Sequence, residues 1–428
     1  MPVTRHRPTF YTVPMIDANE LSTANRNAVC ACLVGAGTVG RSILHDHLAH
    51  QIDVLLVDVN ADMIALASRE VVTRHPRVAV EANAFWVGGL PSVRFTCAGR
   101  AVAPTIVIES VSENLSLKQS LFGSLRKTFG DKMILTTNTS NLRIADIFAS
   151  QVNDANVCGL HFFMPVEQRP LVECVPTMAT SQATRNACHQ HAARLHKAAL
   201  PVSDSPGFVV NRMLAPYLNQ SLTFLEQSVA PEQVSIAALR FGMPMSPLRL
   251  IDTIGLRTAF DSGRVFWQSF PGRLDPSPIL PGMVKWMKKD PGGEGFYTSK
   301  SSDAAISETA SRVVATYRRG ESSWSLDQVT ALLAIPMWIE AAEVLRARIV
   351  DDLDAIELAM RCGLGYSRPS GFFDFFDSLG TVALLKHFRV HSTSFRSMAA
   401  SDDLLACLQS AKDATSALVA YRDMSRLK

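Results

Sequence analysis

Several features are missing from this chain, and each absence removes a class of function. No uninterrupted apolar run approaches the length of about 20 residues that crosses a bilayer, so no membrane span is expected. Arg5 and Arg7 have no apolar stretch behind them, so no signal peptide is read and a cytoplasmic location is expected. An excess of one charge is also lacking. The 42 basic and 39 acidic residues leave a net charge of +3, too small and too mixed to suggest a nucleic-acid partner. Paired cysteine spacing is absent as well. The eight cysteines are scattered, and Cys30, Cys32, Cys158 and Cys174 sit inside apolar strand-like runs, where reduced, buried thiols are found. Cys30-x-Cys32 has the wrong spacing for a zinc knuckle and no partner pair follows, so neither a metal nor a disulfide is expected.

What is present is length and apolar content. With 428 residues, 47% of them hydrophobic, the chain can bury a large core and divide into domains of roughly 150 residues. Residues 1–27 mix Pro, Asn, Thr and charge without periodicity and read as a tail. Val29–Val34 is then a short apolar strand running straight into Gly35-Ala36-Gly37-Thr38-Val39-Gly40, with Arg41–His50 helical behind it. A second apolar run, Val54–Val57, ends in Asp58. Strand, glycine turn, helix, strand and terminal acid together form a dinucleotide fingerprint. Gly35 permits the turn, Gly37 lets the backbone approach a pyrophosphate, and Gly40 brings helix against strand. Asp58 is placed to accept from a ribose 2′-hydroxyl and would repel a 2′-phosphate. Val59 and Asn60 offer no arginine, so NAD is expected rather than NADP.

Residues 60–103 are broken by Pro76, Gly88-Gly89 and Pro91 after a helical stretch from Asp62 to Arg74. Thr105–Glu109 is the next strand, Ser112–Arg126 the next helix, and Met133–Thr136 a further strand leading into Thr137-Asn138-Thr139-Ser140-Asn141. Glu113, Lys118 and Ser140 lie at carboxyl ends of strands, where ligands of such sheets bind. The same residues also read as a first-turn acid, a solvated lysine and a helix cap.

In Leu160–Glu173, two apolar runs flank a polar, proline-bounded turn about Glu167. If Val157–Phe163 and Leu171–Val175 are paired strands, His161 falls opposite Glu173, with Cβ atoms roughly 5 Å apart. A histidine oriented by a carboxylate is a general base suited to neutral pH; the alternative is a polar pair closing an edge hairpin. Thr180–Lys197 reads as a helix and Leu200–Val202 as a last strand. Beyond Asp204-Ser-Pro-Gly207 apolar residues recur only at helical spacing, interrupted early by Asn211, either a site residue or a satisfied interior amide. Pro231–Phe241, Pro247–Phe260 and Pro281–Lys289 complete a helical unit. A capping box at Ser325–Gln328 opens another. Within the second unit, Leu332-Leu-Ala, Ala359–Gly365 and Phe376-Asp-Ser-Leu-Gly380 echo Met213-Leu-Ala, Ala238–Gly242 and Ile251-Asp-Thr-Ile-Gly255 of the first.

The motifs GAGTVG with Asp58, VIESVSENLSLK (107–118), TNTS (137–140), GLHFFMPVEQRPLVE (159–173), DSPGFVVNR (204–212), PMSPLRLIDTIGL (244–256) and GEGFY (293–297) together resemble the 3-hydroxyacyl-CoA dehydrogenase family. The likeness is greatest to the dehydrogenase half of the bacterial multifunctional fatty-acid oxidation alpha subunit, without its hydratase domain, from Ala28 to Gly380. This implies an α/β fold: a doubly wound Rossmann domain at 28–203, then two tandem all-helical modules like the C-terminal domain of 6-phosphogluconate dehydrogenase, at 204–318 and 319–428. It implies NAD-dependent oxidation of a (3S)-3-hydroxyacyl thioester, or the reverse reduction. His161 would be the acid/base and Glu173 its orienting partner. Ser140 and Asn211 would position substrate and histidine, with Glu113 and Lys118 at the nicotinamide end. The substrate would be an acyl-CoA or, in a specialised pathway, an acyl group on a carrier protein; the other alternative is an NAD-binding protein with little catalysis.

Four departures from the family pattern stand out. Met164 replaces the asparagine of HFFNP on the cofactor side and cannot donate or accept comparably. Ser246 replaces the glycine of PMGP, and Arg257 replaces an aspartate. Lysines that would meet coenzyme A phosphates are missing from residues 60–103, leaving Arg69, Arg74 and Arg77. The second helical unit lacks a counterpart to Asn211, so it is expected to be a packing partner, giving a monomer with an internal pseudo-dimer.

Overall fold

Alternation along the first strand sets out the architecture. In β1 (Cys30–Val34), Cys30, Cys32 and Val34 enter one hydrophobic cluster while Ala31 and Leu33 enter another. A strand buried on both faces calls for a parallel sheet with helices on each side, and that is the arrangement found. The protein is described by a computed structural model covering residues 29–82, 90–97, 102–151, 154–289, 294–298 and 305–424. The expected tail at 1–27, Gly88-Gly89 and Gly293 of GEGFY lie outside these residues.

Among the described residues β2 is Asp53–Val57, β3 Ala79–Ala82, β4 Ser92–Thr96 and β5 Pro104–Glu109. β6 is Ile134–Thr137, β7 Val157–Phe162, β8 Leu171–Pro176 and β9 Ala198–Pro201. They form a single sheet in the order β3-β4-β2-β1-β5-β6-β7-β8-β9. The central strands β2, β1, β5, β6 and β7 run parallel, so their carboxyl ends share one edge. The helices Thr38–Ala49, Ala61–Arg74 and Gln182–Arg194 contribute to the cluster on one face, and Leu115–Phe129 to that on the other. The second cluster continues without a break into helices that begin at Val210.

Two local expectations need correction. Residues 60–103 contain a pair of antiparallel strands, β3 and β4, which extend the sheet beyond β2. The expected helix Pro247–Phe260 is two helices, Pro247–Ile254 and Leu256–Ser269. Gly255, at φ 95°, breaks it in a conformation costly for any residue with a Cβ.

The helix Leu326–Arg346 is long and apolar enough to cross a membrane by length and composition, but 89% of its most apolar stretch is buried inside the protein. It lies against Val210–Glu226 and Pro231–Phe241 as a core helix.

A buried histidine pair joins the Rossmann helices. His47 Nδ1–H donates to the Ile43 carbonyl at 2.8 Å, so its Nε2 accepts from His191 Nε2–H, 2.9 Å away. Burial holds both imidazoles below their ordinary range, His191 at about 4. As pH falls from 6.5 towards 4 the unfolded chain gains protons that the folded chain refuses, so stability must drop. The urea midpoint is expected to fall between pH 7 and pH 5, and to fall less in His191→Gln; equal falls would contradict this.

Candidate active site

The glycine loop is built by close approach of backbones. Gly35 lies at φ 107°, and a Cβ there would meet the Ser110 carbonyl at 2.6 Å. A Cβ on Gly40 would stand 1.9 Å from the Gly35 oxygen, so helix Thr38–Ala49 can approach β1 only with glycine at this position. Around Gly37 a Cβ would meet nothing within 4 Å, so the loop faces open space. No side chain caps this helix at Gly37, and its first turn carries no acid. Its positive end and the N–H groups of Thr38 and Val39 are therefore available to an anion. Asp58 closes the carboxyl end of β2, accepting the Ala36 N–H at 2.6 Å and the Asn60 N–H at 2.7 Å. An open glycine, an uncapped helix and an acid held beside the loop fit a dinucleotide.

Facing this loop from β5 and β6 is a buried polar network. Glu109, fully buried, accepts from Lys118 Nζ and the Val111 N–H, both at 2.6 Å, and from Thr137 Oγ1 at 2.7 Å. Lys118 is buried rather than solvated, its ammonium also 3.5 Å from Glu113. Glu113 in turn accepts from Thr139 Oγ1 at 2.5 Å and from the N–H groups of Ser140 and Asn141 at 3.1 Å. Glu113 thus holds the loop that carries Ser140, and Ser140 is not a helix cap. Asn138 Oδ1 accepts the Phe162 N–H at 2.8 Å, tying the same loop to β7.

β7 and β8 pair antiparallel with His161 opposite Glu173, as the two apolar runs predict. His161 Nδ1 donates to Glu173 Oε2 at 2.7 Å. Glu173 is 0% exposed and His161 4%. The other carboxylate oxygen, Oε1, accepts the N–H groups of Val209 and Val210 at 3.1 and 3.0 Å. Gly207 and Phe208 have φ 73° and 49°, and this left-handed turn aims those two amides at the carboxylate. Glu173 is thus held from both sides and fixes the tautomer, leaving Nε2 as the basic nitrogen of the ring. Phe163 and Phe208 flank the imidazole, with ring centroids 4.6 and 5.7 Å away.

Asn211 lies one residue into helix Val210–Glu226 and donates through Nδ2 to the Ser140 carbonyl at 3.2 Å. It shares a narrow crevice with Asn141, Arg212, Ser262, Val265 and Phe266. Met164 is 42% exposed, on a turn that docks to the glycine-loop helix through Val166 N–H and Ser42 Oγ, 3.1 Å apart. Ser246 has a local reason: its Oγ accepts the Arg249 N–H at 3.2 Å and caps helix Pro247–Ile254. Arg257 pairs along its own helix with Asp261 at 2.7 Å, and Arg74 with Glu167. Sequence reasoning did not single out Glu109, Thr139, Arg212 or Glu340. Glu109 had a usable signal, an acid closing an apolar strand at the sheet's ligand edge.

Models of two domains match the chain: the 3-hydroxyacyl-CoA dehydrogenase NAD binding domain at residues 30–205, and the 3-hydroxyacyl-CoA dehydrogenase C-terminal domain at 207–299. The chain is 30% identical over 372 residues to the fatty acid oxidation complex subunit alpha of Idiomarina loihiensis, covering 83% of this chain and 51% of that protein. It therefore spans about half the length of that curated relative. The structure of 3-hydroxybutyryl-CoA dehydrogenase from Escherichia coli K12 overlays with TM-score 0.65 at 23% identity, covering 89% of this chain and 98% of that one. FadB2 of M. tuberculosis overlays with TM-score 0.53 at 27% identity, covering 64% and 100%. The dehydrogenase part of multifunctional enzyme 1 from C. elegans does so with TM-score 0.56 at 20% identity, covering 88% and 89%. With both domain models matched in order along one chain, and the glycine loop fitted to NAD, this protein belongs to the 3-hydroxyacyl-CoA dehydrogenase family.

Proposed function

We propose that the protein interconverts a (3S)-3-hydroxyacyl-CoA and its 3-ketoacyl form. The observation that carries this reading is the buried His161–Glu173 hydrogen bond of 2.7 Å, at the sheet edge that also bears the glycine loop. NAD, held at the glycine loop, would supply the hydride acceptor for C3 of the substrate. His161 Nε2 takes the hydroxyl proton, and Glu173 stabilises the imidazolium that results. Ser140 and Asn211 orient the substrate oxygen, while Glu113 and Lys118 border the nicotinamide end, where Met164 now stands in the turn. Gly35, Gly37, Thr38, Val39, Gly40 and Asp58 hold the dinucleotide. General-base help of this kind contributes typically about 10²–10⁴-fold. The test is NADH oxidation with acetoacetyl-CoA against the same acyl group on a carrier protein. Higher kcat/KM for the CoA thioester is expected; turnover of the carrier-bound group alone would overturn the choice of handle.

Asp58 leads to a second expected outcome. A 2′-phosphate brought against its carboxylate meets like charge, which costs several kcal/mol. kcat/KM with NADPH is expected to be lower than with NADH by at least about tenfold, equivalent to about 1.4 kcal/mol. Equal values in steady-state kinetics would remove Asp58 from the ribose site.

We also propose that residues 204–318 and 319–428 are two copies of one helical module, the second a degenerate packing partner. Three parallels support this. Pro247–Ile254 and Phe372–Leu379 are both eight-residue helices, each followed by a positive-φ glycine, Gly255 or Gly380, and then another helix. The aspartate of each motif caps a later segment: Asp252 accepts from the N–H groups of Phe296 and Tyr297, and Asp377 from that of Thr415. The long helices Val210–Glu226 and Leu326–Arg346 each open their unit and each contain a proline, Pro216 and Pro336, offset by one position when Met213-Leu-Ala is laid on Leu332-Leu-Ala. Docking the second copy within one chain avoids an association cost of roughly 4–15 kcal/mol, so a monomer is expected.

A further inference from the structure

Arg212 follows Asn211 directly, yet it is 2% exposed, and its carboxylate partner, Glu340, lies 128 residues away on helix Leu326–Arg346. Arg212 Nε and Nη2 donate to Glu340 Oε1 at 2.6 and 2.5 Å. Glu340, also 2% exposed, accepts on its other oxygen from Arg273 Nη1 at 2.8 Å, and Arg273 continues to Glu343 at 2.7 Å. The Arg212 guanidinium lies over the Phe270 ring at 4.3 Å. Phe270 in turn packs at a tilt against Phe266, ring centroids 5.1 Å apart, and Phe266 walls the Asn211 crevice. Arg212 Nη1 also lies 3.5 Å from Ser205 Oγ, in the loop before the left-handed turn.

Stability alone does not call for this arrangement. Replacing a buried ion pair by apolar side chains of similar volume is often neutral or stabilising, and the best-attested use of such a pair is to set register. What it fixes here is the first turn of helix Val210–Glu226. That turn carries Asn211, and the N–H groups of Val209 and Val210 beside it hold Glu173. We propose that Glu340 is a positioning residue for the active site, supplied by the C-terminal helical region. By clamping Arg212 it sets Asn211 and the amides that orient the Glu173–His161 pair. The second module would thus act on the reaction as well as cover a face of the first. This inference rests on the dehydrogenase reading above.

The test uses the full chain in four variants: Glu340→Gln, the doubly apolar R212M/E340L, Asn211→Ala, and the combination of Glu340→Gln with Asn211→Ala. Glu343→Gln is the control, since it removes only the outer contacts to Arg273 and Tyr421. R212M/E340L is expected to melt near the wild-type temperature and to bind NADH with unchanged Kd. Its kcat with acetoacetyl-CoA is expected to fall by at least about tenfold, while Glu343→Gln stays within about twofold. Glu340→Gln should lower kcat less in the Asn211→Ala background than in wild type, because the part of its effect that runs through Asn211 is already lost and coupled residues are not additive. A folded R212M/E340L with wild-type kcat, or effects that add fully in the combined variant, would overturn the proposal. Hydrogen–deuterium exchange reads the same loosening without turnover. Faster exchange at residues 205–212 in Glu340→Gln, and not in Glu343→Gln, is expected, and unchanged exchange there would also overturn it. A wild-type protein inactive on any acyl thioester would defeat the dehydrogenase reading, leaving the clamp to be decided by exchange.

Discussion

Replacing His161 with glutamine is expected to lower kcat by about 10²–10⁴-fold, the usual contribution of a positioned general base, while leaving the Kd for NADH nearly unchanged. The glycine loop and Asp58 make no hydrogen bond to His161, so cofactor binding and proton transfer separate cleanly. Glu173→Gln should also cut kcat, for a reason visible in its contacts. Both carboxylate oxygens accept, one from the imidazole N–H and the other from two backbone N–H groups. An amide has only one acceptor oxygen, so its NH₂ must face a donor on one side or the other. Steady-state kinetics with fluorescence titration of NADH checks both variants. If His161→Gln kept more than about a tenth of wild-type kcat, another residue would have to be the base.

The second large effect concerns the C-terminal region. A chain ending at Arg318 is expected to be insoluble or newly dimeric, with most of its activity lost. In the full chain Phe241 is completely buried, ringed by Tyr366, Phe372, Phe375 and Phe376. Arg212 would lose Glu340 and face the new surface as an unpaired charge. Each large apolar side chain left exposed forfeits about 1.5–3 kcal/mol. Light scattering on both chains measures the outcome. A truncated protein that stays monomeric, soluble and fully active would show that residues beyond 318 do not support the rest.

Much of the site was legible because steric rules wrote it into the sequence. Gly40 cannot carry a Cβ where the Gly35 oxygen lies 1.9 Å from that position, so the glycine spacing had to appear. The His161–Glu173 register was legible for a similar reason, since a strand's period of two and a short turn fix which residues meet. β3 was not legible: Ala79–Ala82 is exposed along its whole length and shows no alternation. β4 buries Arg94 among its apolar residues, which hides a strand behind a charge. The break at Gly255 escaped because apolar spacing continues through it into Leu256 and Ala259. The Arg212–Glu340 clamp could not be read at all, since nothing local pairs residues 128 apart.

We propose that hydride moves between nicotinamide C4 and C3 of an acyl thioester, with His161 handling the proton. The most direct measurement is a single turnover of acetoacetyl-CoA with NADH deuterated at C4 in the transferable position, the product analysed by mass spectrometry. Wild-type protein is expected to give (3S)-3-hydroxybutyryl-CoA carrying one deuterium at C3, and His161→Gln almost none at the same NADH occupancy. Bound NADH with no label transferred by the wild-type protein, or equal transfer by His161→Gln, would contradict it.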